Sequence, residues 1–579
     1  MRVRKSNSAK FNLNIKLPGS EQEYTLTGND IAEFTVRRDF NSTVVLRKLL
    51  TVDNYENGQL VLEIYPEDTF NMEAGSYIYD VALRIDYNTA QEQFITVISP
   101  RTFTLSDVVT NFDSQIGIEL KSPPTWDDIL NKPEEFPPMP HEHPELVTTR
   151  ALADLEANIS NLEVFLGYTD ADIYGIEADF ENSRFIRLSG AAGRTAGADF
   201  DGINAFGGRR RCTVLDNGTI TSYFGDADYI EDGSTGQVMV YQPKFYYRMV
   251  PLKLEPIAGS IGFHIRKARY YVSDTPKAGF KLHPAFIKDG TERPYVLIGA
   301  YEGCLQRGNV FNLTDEQNGN FTPGSGDKLS SVANAKPASG TTQQLTRPNV
   351  RNIAANRGTG WSQTYTAIVS LTQMLFIIEY CTFNTQNAIG MGVVSKSSGT
   401  DNNSENTGQT AHLGNTSGMA QGTNGLVSVS YRGEENPWGN IWSFVDGMNV
   451  WGDGTLRGGV PYIADNGFAE SVNTGNYQSV GFTMLNAGAY ISAIGYGNSD
   501  FDWVFLGTEG LGNSNLPIGD FNWAVSNMNG FCIAILGAGW DNSATAGFFY
   551  WAVGNPVSRS NRNLGGRLVY VPNAVQGGA

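Results

Sequence analysis

Along the first 120 residues, apolar and polar side chains change places in short runs. Phe11-Asn12-Leu13-Asn14-Ile15-Lys16-Leu17 alternates with period two, as a half-buried strand must. Runs of the same kind recur at Ile31 to Val36, Ser42 to Leu46, Leu60 to Ile64, Tyr79 to Tyr87 and Phe94 to Val97. Turn clusters such as Thr27-Gly28-Asn29-Asp30 and Glu56-Asn57-Gly58 separate them. Short strands with turns between them predict a β-sandwich over residues 1–120.

The pattern then breaks. Residues 121–168 begin with Ser122-Pro123-Pro124-Thr125-Trp126 and continue through Pro133, Pro137, Pro138 and Pro140. Prolines at this spacing forbid a regular helix or a central strand and predict an extended connector. His141-Glu142-His143 follows. Two histidines at i and i+2 of an extended chain point the same way, so the pair reads either as a solvated polar turn or as two ligands of a site completed by other chains. Over residues 147–166, Leu152, Leu155, Ile159, Leu162 and Leu166 fall at steps of three, four, three and four. This two-heptad seam is the one convincing helix in the pattern, with Thr148 or Thr149 as its N-cap. So short a helix is marginal alone. It is expected either to form a parallel trimeric collar or to pack on its own neighbouring domain.

From about residue 169 to 579 the apolar runs shorten between Gly, Asn, Ser, Tyr and Trp, and no period of 20 to 50 residues repeats. Length and composition extend this picture. A chain of 579 residues exceeds one core, while 41% hydrophobic and 18% charged residues give a globular balance. With 64 glycines and 26 tyrosines, the expected class is mainly β with an α+β C-terminal domain. The net charge of −18 argues against a nucleic-acid partner. Cys212, Cys304, Cys381 and Cys532 are scattered singly, which predicts free thiols rather than a zinc ribbon or disulfide scaffold. The basic start, Met1-Arg2-Val3-Arg4-Lys5, has no apolar stretch behind it, so no secretory leader is expected. No run of about 18 apolar residues predicts a membrane-spanning helix. A protein of this kind is expected to be made in the cytoplasm and released by lysis.

Several stretches carry a family resemblance. They are Gln237-Val238-Met239-Val240-Tyr241-Gln242-Pro243-Lys244-Phe245, then Val272-Ser273-Asp274-Thr275-Pro276 leading to Gly279-Phe280-Lys281-Leu282-His283-Pro284, and most specifically Tyr431-Arg432-Gly433-Glu434-Glu435-Asn436-Pro437-Trp438-Gly439-Asn440-Ile441-Trp442. The region from about 169 to 572 resembles phage tail receptor-binding proteins with a C-type lectin fold. That fold is shared with formylglycine-generating enzymes and with the major tropism determinant of a diversifying phage. Residues 1–120 resemble the immunoglobulin-like domain of phage baseplate upper proteins, which implies attachment to the virion tail. The connector is similar to those of phage tail fibres. There, His-x-His elements ring an axial iron ion, which implies that His141 and His143 of three chains hold such an ion; no other cofactor is implied. Trp438 and Trp442 are expected to anchor a tight turn in the core, with stacking on a sugar as the other reading.

Residues 537–568 resemble the variable region of proteins targeted by diversity-generating retroelements. There an error-prone reverse transcriptase recopies adenines at the first two positions of Asn codons. Carried over position by position, the variable set is Asp541, Asn542, Thr545, Ala552, Gly554, Asn555, Arg559 and Arg562. Trp540, Trp551, Gly565, Gly566 and Arg567 match the fixed scaffold, beside Phe549 and Leu564. The resemblance implies that the variable side chains face solvent and contact a host-cell surface protein or glycan.

No catalytic set stands out. His264, His283 and His412 sit in neither an HExxH nor a GxSxG context, and Cys532 lacks the late partner that formylglycine-generating chemistry uses. Carboxylates such as Glu434-Glu435 and Asp500 with Asp502 are expected to be solvated acidic loops. A non-enzymatic trimeric adhesin at a virion tail tip or baseplate is therefore the expectation. The alternatives are a tail-spike depolymerase that cleaves host polysaccharide, whose carboxylates would stand about 5 to 9.5 Å apart, and a structural baseplate protein without receptor contact.

Overall fold

A computed structural model describes residues 2–106 and 167–573, apart from short stretches at 5–8, 18–21, 39–43, 57–58, 70–71, 73–74, 87–92, 312–325, 339–344, 398–403, 456–457, 471–475 and 526–527. The proline-rich connector, the His141/His143 pair and the heptad seam of 147–166 lie outside the described residues. The chain divides into two compact units, Met1–Pro140 and His141–Ala579. The protein is mainly β, as the alternation predicts.

In the first unit, a five-stranded sheet runs in the order Arg2–Arg4, Gln93–Ser106, Gly75–Ile85, Ile31–Arg37 and Val44–Leu50. Its pairings are antiparallel except the first, which is parallel. A second sheet of three strands joins Ala9–Leu13, Gln59–Ile64 and Tyr55–Glu56. Phe34, Val36, Val81 and Phe103 of the first sheet share one core with Leu13, Leu60, Leu62 and Ile64 of the second. Period-two alternation puts these side chains on the facing surfaces, so the two sheets close over them.

The second unit holds three larger sheets. One runs antiparallel in the order Ile220–Tyr223, Arg210–Val214, Gln237–Pro243, Tyr295–Glu302, Arg567–Tyr570 and Trp361–Gln363. Another centres on Ile173–Asp179, Phe263–Ser273 and Tyr246–Pro256. The third brings Trp442–Asp453, Asn529–Leu536, Trp551–Asn555 and Phe521–Ala524 side by side.

The expectation of a single helix is corrected here, because the described part of the unit contains the helices Arg347–Ala355 and Thr366–Tyr380. Every residue from Thr366 through Glu379 is buried. A helix apolar on all sides shows no amphipathic period, so the pattern that predicts surface helices passes over it. It ends at Cys381, which adopts φ +55.

The expectation of a solvated Glu434-Glu435 loop is also corrected: both side chains are buried. Glu434 pairs with the buried Arg209, and Glu435 accepts from the Thr410 amide and hydroxyl at 2.7 Å each. Next to them Arg432 makes a two-pronged pair with Glu379 at 2.7 and 2.8 Å. Charges this deep persist only when each is matched by partners of opposite sign or by hydrogen bonds. Asp502 is likewise bonded, accepting from Tyr247 Oη at 2.6 Å and Lys281 Nζ at 3.1 Å. All four cysteines are free thiols, and burial pushes Cys212 up to about 12.

His283 is buried in a box of Phe245, Tyr247, Phe286 and Trp503. Its Nδ1 accepts from the Ala285 amide at 3.2 Å, and burial lowers its pKa to about 3. An unfolded histidine titrates near 6.5, so between pH 6.5 and 3 the unfolded chain holds a proton that the folded one excludes. This group therefore contributes stability that is complete above about pH 6.5 and falls by up to ~1.4 kcal/mol per unit as pH drops through that window. We expect His283→Gln to flatten the acid limb of the stability–pH curve relative to the parent, measured by denaturant unfolding from pH 7 to 4. The difference between the two proteins isolates this residue from Glu302. There burial raises the pKa to about 7, so that residue's contribution is present at low pH and lost as pH rises from about 4.5 to 7.

Candidate functional site

The segment Gly537–Asn563 is built as an irregular loop, a strand and a second loop. Gly537 and Ala538 adopt φ +96 and +81, turning the chain out of the strand Asn529–Leu536. The first loop is tied down from behind. The Ser543 amide donates to Val394 O at 2.7 Å, and Gln386 Nε2 donates to the carbonyls of Ser543 and Ala546 at 3.0 and 2.6 Å. The Phe549 amide donates to buried Asp520 at 2.7 Å, and a Cβ on Gly547 would collide with that carboxylate. Burial raises the Asp520 pKa well above the usual carboxylate range.

Trp551–Asn555 then enters the third sheet between Asn529–Leu536, antiparallel, and Phe521–Ala524, parallel. Its apolar side chains turn alternately into the two cores, Trp551 and Val553 into one and Ala552 into the other. After the second loop, Trp442 donates its amide to Asn563 O at 2.7 Å, and Leu564–Gly565 runs parallel to the start of Trp442–Asp453.

These elements enclose a cleft of about 270 Å³ whose lining includes Trp442, Trp523, Tyr550, Asn542, Ala552, Asn555, Arg559, Asn561 and Asn563. Trp523 stands directly across from Ala552 in the parallel pairing and is 38% exposed. Trp442 and Tyr550 meet edge to face at 4.8 Å on its wall. Of the eight positions implied to vary, Asn542, Ala552, Asn555 and Arg559 come together here. Asp541 is exposed nearby, while Thr545 and Arg562 are half-buried and outside the lining.

Solvent-facing placement is corrected at two positions, and free exchange of the side chain at a third. Ala552 and Asn555 are only 4% and 7% exposed, because the strand lies between two neighbours and its side chains form the cleft floor. Gly554 has φ +103, and a Cβ there would lie 2.7 Å from Val525 Cγ2 and 3.0 Å from the Val525 amide nitrogen. That backbone suits glycine alone. Gly554→Ala is expected to cost about 1–3 kcal/mol in a denaturant titration, whereas Asn542→Ala on the rim should change stability by less than ~0.5 kcal/mol.

The implied scaffold residues are all buried. Trp540 packs with Val393 and Ile441, and Trp551 donates Nε1 to Phe505 O at 3.1 Å. A Cβ on Gly565 would meet Ala338 O at 2.2 Å, and one on Gly566 would meet Val350 Cγ1 at 2.5 Å. Arg567 donates to the carbonyls of Gly299, Glu435 and Asn436 at 2.8, 2.6 and 2.8 Å.

Trp438 is buried in the main core and donates Nε1 to Met391 O at 3.1 Å, whereas Trp442 lines the cleft. The position-by-position carry-over misses Trp442, Trp523, Tyr550, Asn561 and Asn563. Trp523 carried a signal in the strand rhythm of Phe521-Asn522-Trp523-Ala524, where every second side chain faces outward. Among the described residues, no group of three or more His, Cys, Asp or Glu side chains is placed to hold a metal ion. No helix of the described residues is long and apolar enough to cross a membrane.

No protein-family model matches this chain, and no curated protein matches it.

Proposed function

We propose that this chain is a phage tail receptor-binding protein, carried on the virion at the tail tip or baseplate, that attaches the particle to a host-cell surface protein or glycan. In this reading the sandwich of the first unit is an immunoglobulin-like attachment module. The second unit is a C-type lectin-like head whose residues 537–568 can be rewritten by a diversity-generating retroelement. The observation that supports it is the convergence of Asn542, Ala552, Asn555 and Arg559 on one aromatic-walled cleft. A strand and two anchored loops hold the backbone while side chains of different size and polarity point into one concavity, as a binding site with exchangeable contacts requires. A trimer would add avidity of roughly 10² to 10⁴-fold where geometry permits.

The test is competition. Purified full-length protein added to host cells before phage is expected to reduce adsorption. The variant Asn542→Trp, which adds bulk at the half-buried rim of the cleft, should lose that effect while keeping its unfolding midpoint. Unchanged adsorption with saturating parent protein would overturn receptor contact in favour of a purely structural baseplate role. Release of oligosaccharides from host capsule by the protein alone would overturn non-enzymatic adhesion in favour of a depolymerase.

A further inference from the structure

The cleft has a chemical bias. One cation, Arg559, and four asparagines line it, and no carboxylate does, in a protein of net charge −18. The nearest acidic residue in sequence, Asp541, is exposed and outside the lining. No hydrogen bond or ion pair among the described residues holds the Arg559 guanidinium, and the Asn555 amide, although 93% buried, makes none either. A side-chain amide this deep is normally bonded within the protein. Asn555 instead opens onto the cleft, where a ligand can complete it.

Asn542 and Asn561 add direction. Their Oδ1 atoms accept from the backbone amides of Gly539 and Arg562 at 2.9 and 2.8 Å. This commits the oxygens and leaves the NH2 groups as donors. Trp523 supplies a flat, partly exposed apolar face across from Ala552. A cation, amide donors and an aromatic platform within one cleft match a ring that carries hydroxyls on its edges and one anionic group.

We infer that, granted the adhesin reading above, the cleft of this chain takes an acidic saccharide. The sugar ring lies on Trp523, its carboxylate meets Arg559, and its hydroxyls meet Asn555 and the NH2 groups of Asn542 and Asn561.

Calorimetric titration of the full-length protein tests this. The probes are oligosaccharides ending in glucuronate, galacturonate or sialate, each paired with its carboxyl-reduced counterpart. At least one acidic probe is expected to bind roughly tenfold or more tighter than its neutral partner, the scale of one charge-assisted hydrogen bond. Arg559→Gln should abolish that preference, and Trp523→Ala should weaken both members of the pair. Arg559 is exposed and Trp523 partly so, and an unchanged unfolding midpoint confirms that each variant is folded. Equal binding within every pair, no binding of any probe, or a preference that survives Arg559→Gln would overturn the assignment. The adhesin reading is tested separately by adsorption. Competition by the protein without inhibition by any acidic probe would remove the saccharide and keep the adhesin, while failure of the protein itself to compete would remove the adhesin.

Discussion

Arg567→Met is expected to destabilise the second unit by about 3–5 kcal/mol, the range found when one partner of a buried charge network is removed. The guanidinium is 4% exposed and serves three carbonyls from two distant parts of the chain, Gly299 on one side and Glu435 and Asn436 on the other. Methionine fills much of the volume and supplies no donor, so three buried acceptors lose their partner together. Lysine should not restore the loss, because a point charge cannot replace a planar fork with several fixed donors. Denaturant unfolding of full-length protein, followed by tryptophan fluorescence, reads both variants. A loss below ~1 kcal/mol for Arg567→Met would show that the carbonyls find other partners.

Trp551→Ala should cost a similar amount, about 3–5 kcal/mol, for a different reason. The indole is 1% exposed, packs in the main core and donates to Phe505 O. Truncation leaves a cavity beneath the strand that carries Ala552 and Asn555, so the cleft floor should shift and binding at the cleft should fall with stability. Trp523→Ala separates the two effects. That side chain is 38% exposed, so its removal should cost less than ~1 kcal/mol and still weaken binding. Equal stability losses for the two tryptophans would contradict the assignment of one to the core and the other to the site.

The longer strands of the first unit were legible in sequence because apolar and polar side chains alternate along them, even where, as in Ile31–Arg37, the polar ones are buried too. Ile31–Arg37 and Gln59–Ile64 fall where the pattern places them. Arg2–Arg4 does not show in the pattern, since three residues are too few to display a period and their pairing is with a strand far along the chain. The helix Thr366–Tyr380 was illegible for the opposite reason: burial on every side erases the contrast on which periodicity depends. Glu434 and Glu435 looked solvated because their partners, Arg209 and Thr410, are supplied from elsewhere in the fold. At the candidate site, the resemblance implied a segment and a set of anchors, and the anchors are buried. It could not distinguish a rim position such as Asn542 from a floor position such as Ala552. It also could not show that Gly554 is held by its φ angle and by Val525.

The strand Arg567–Tyr570 lies between Tyr295–Glu302 and Trp361–Gln363, inside the six-stranded sheet rather than at its border. A ribosome makes both neighbours long before it makes the strand that joins them. Until residue 570 has emerged, the nascent chain carries an open slot with two unsatisfied strand borders, the kind of surface that invites association with other chains. Everything between Gly537 and Asn563 must be translated before that slot can close. Any sequence change between Gly537 and Asn563 is therefore tested first by whether the sheet can still close. A chain that cannot seat Leu564–Tyr570 leaves the sheet unfinished, so such a change is expected to be lost in folding.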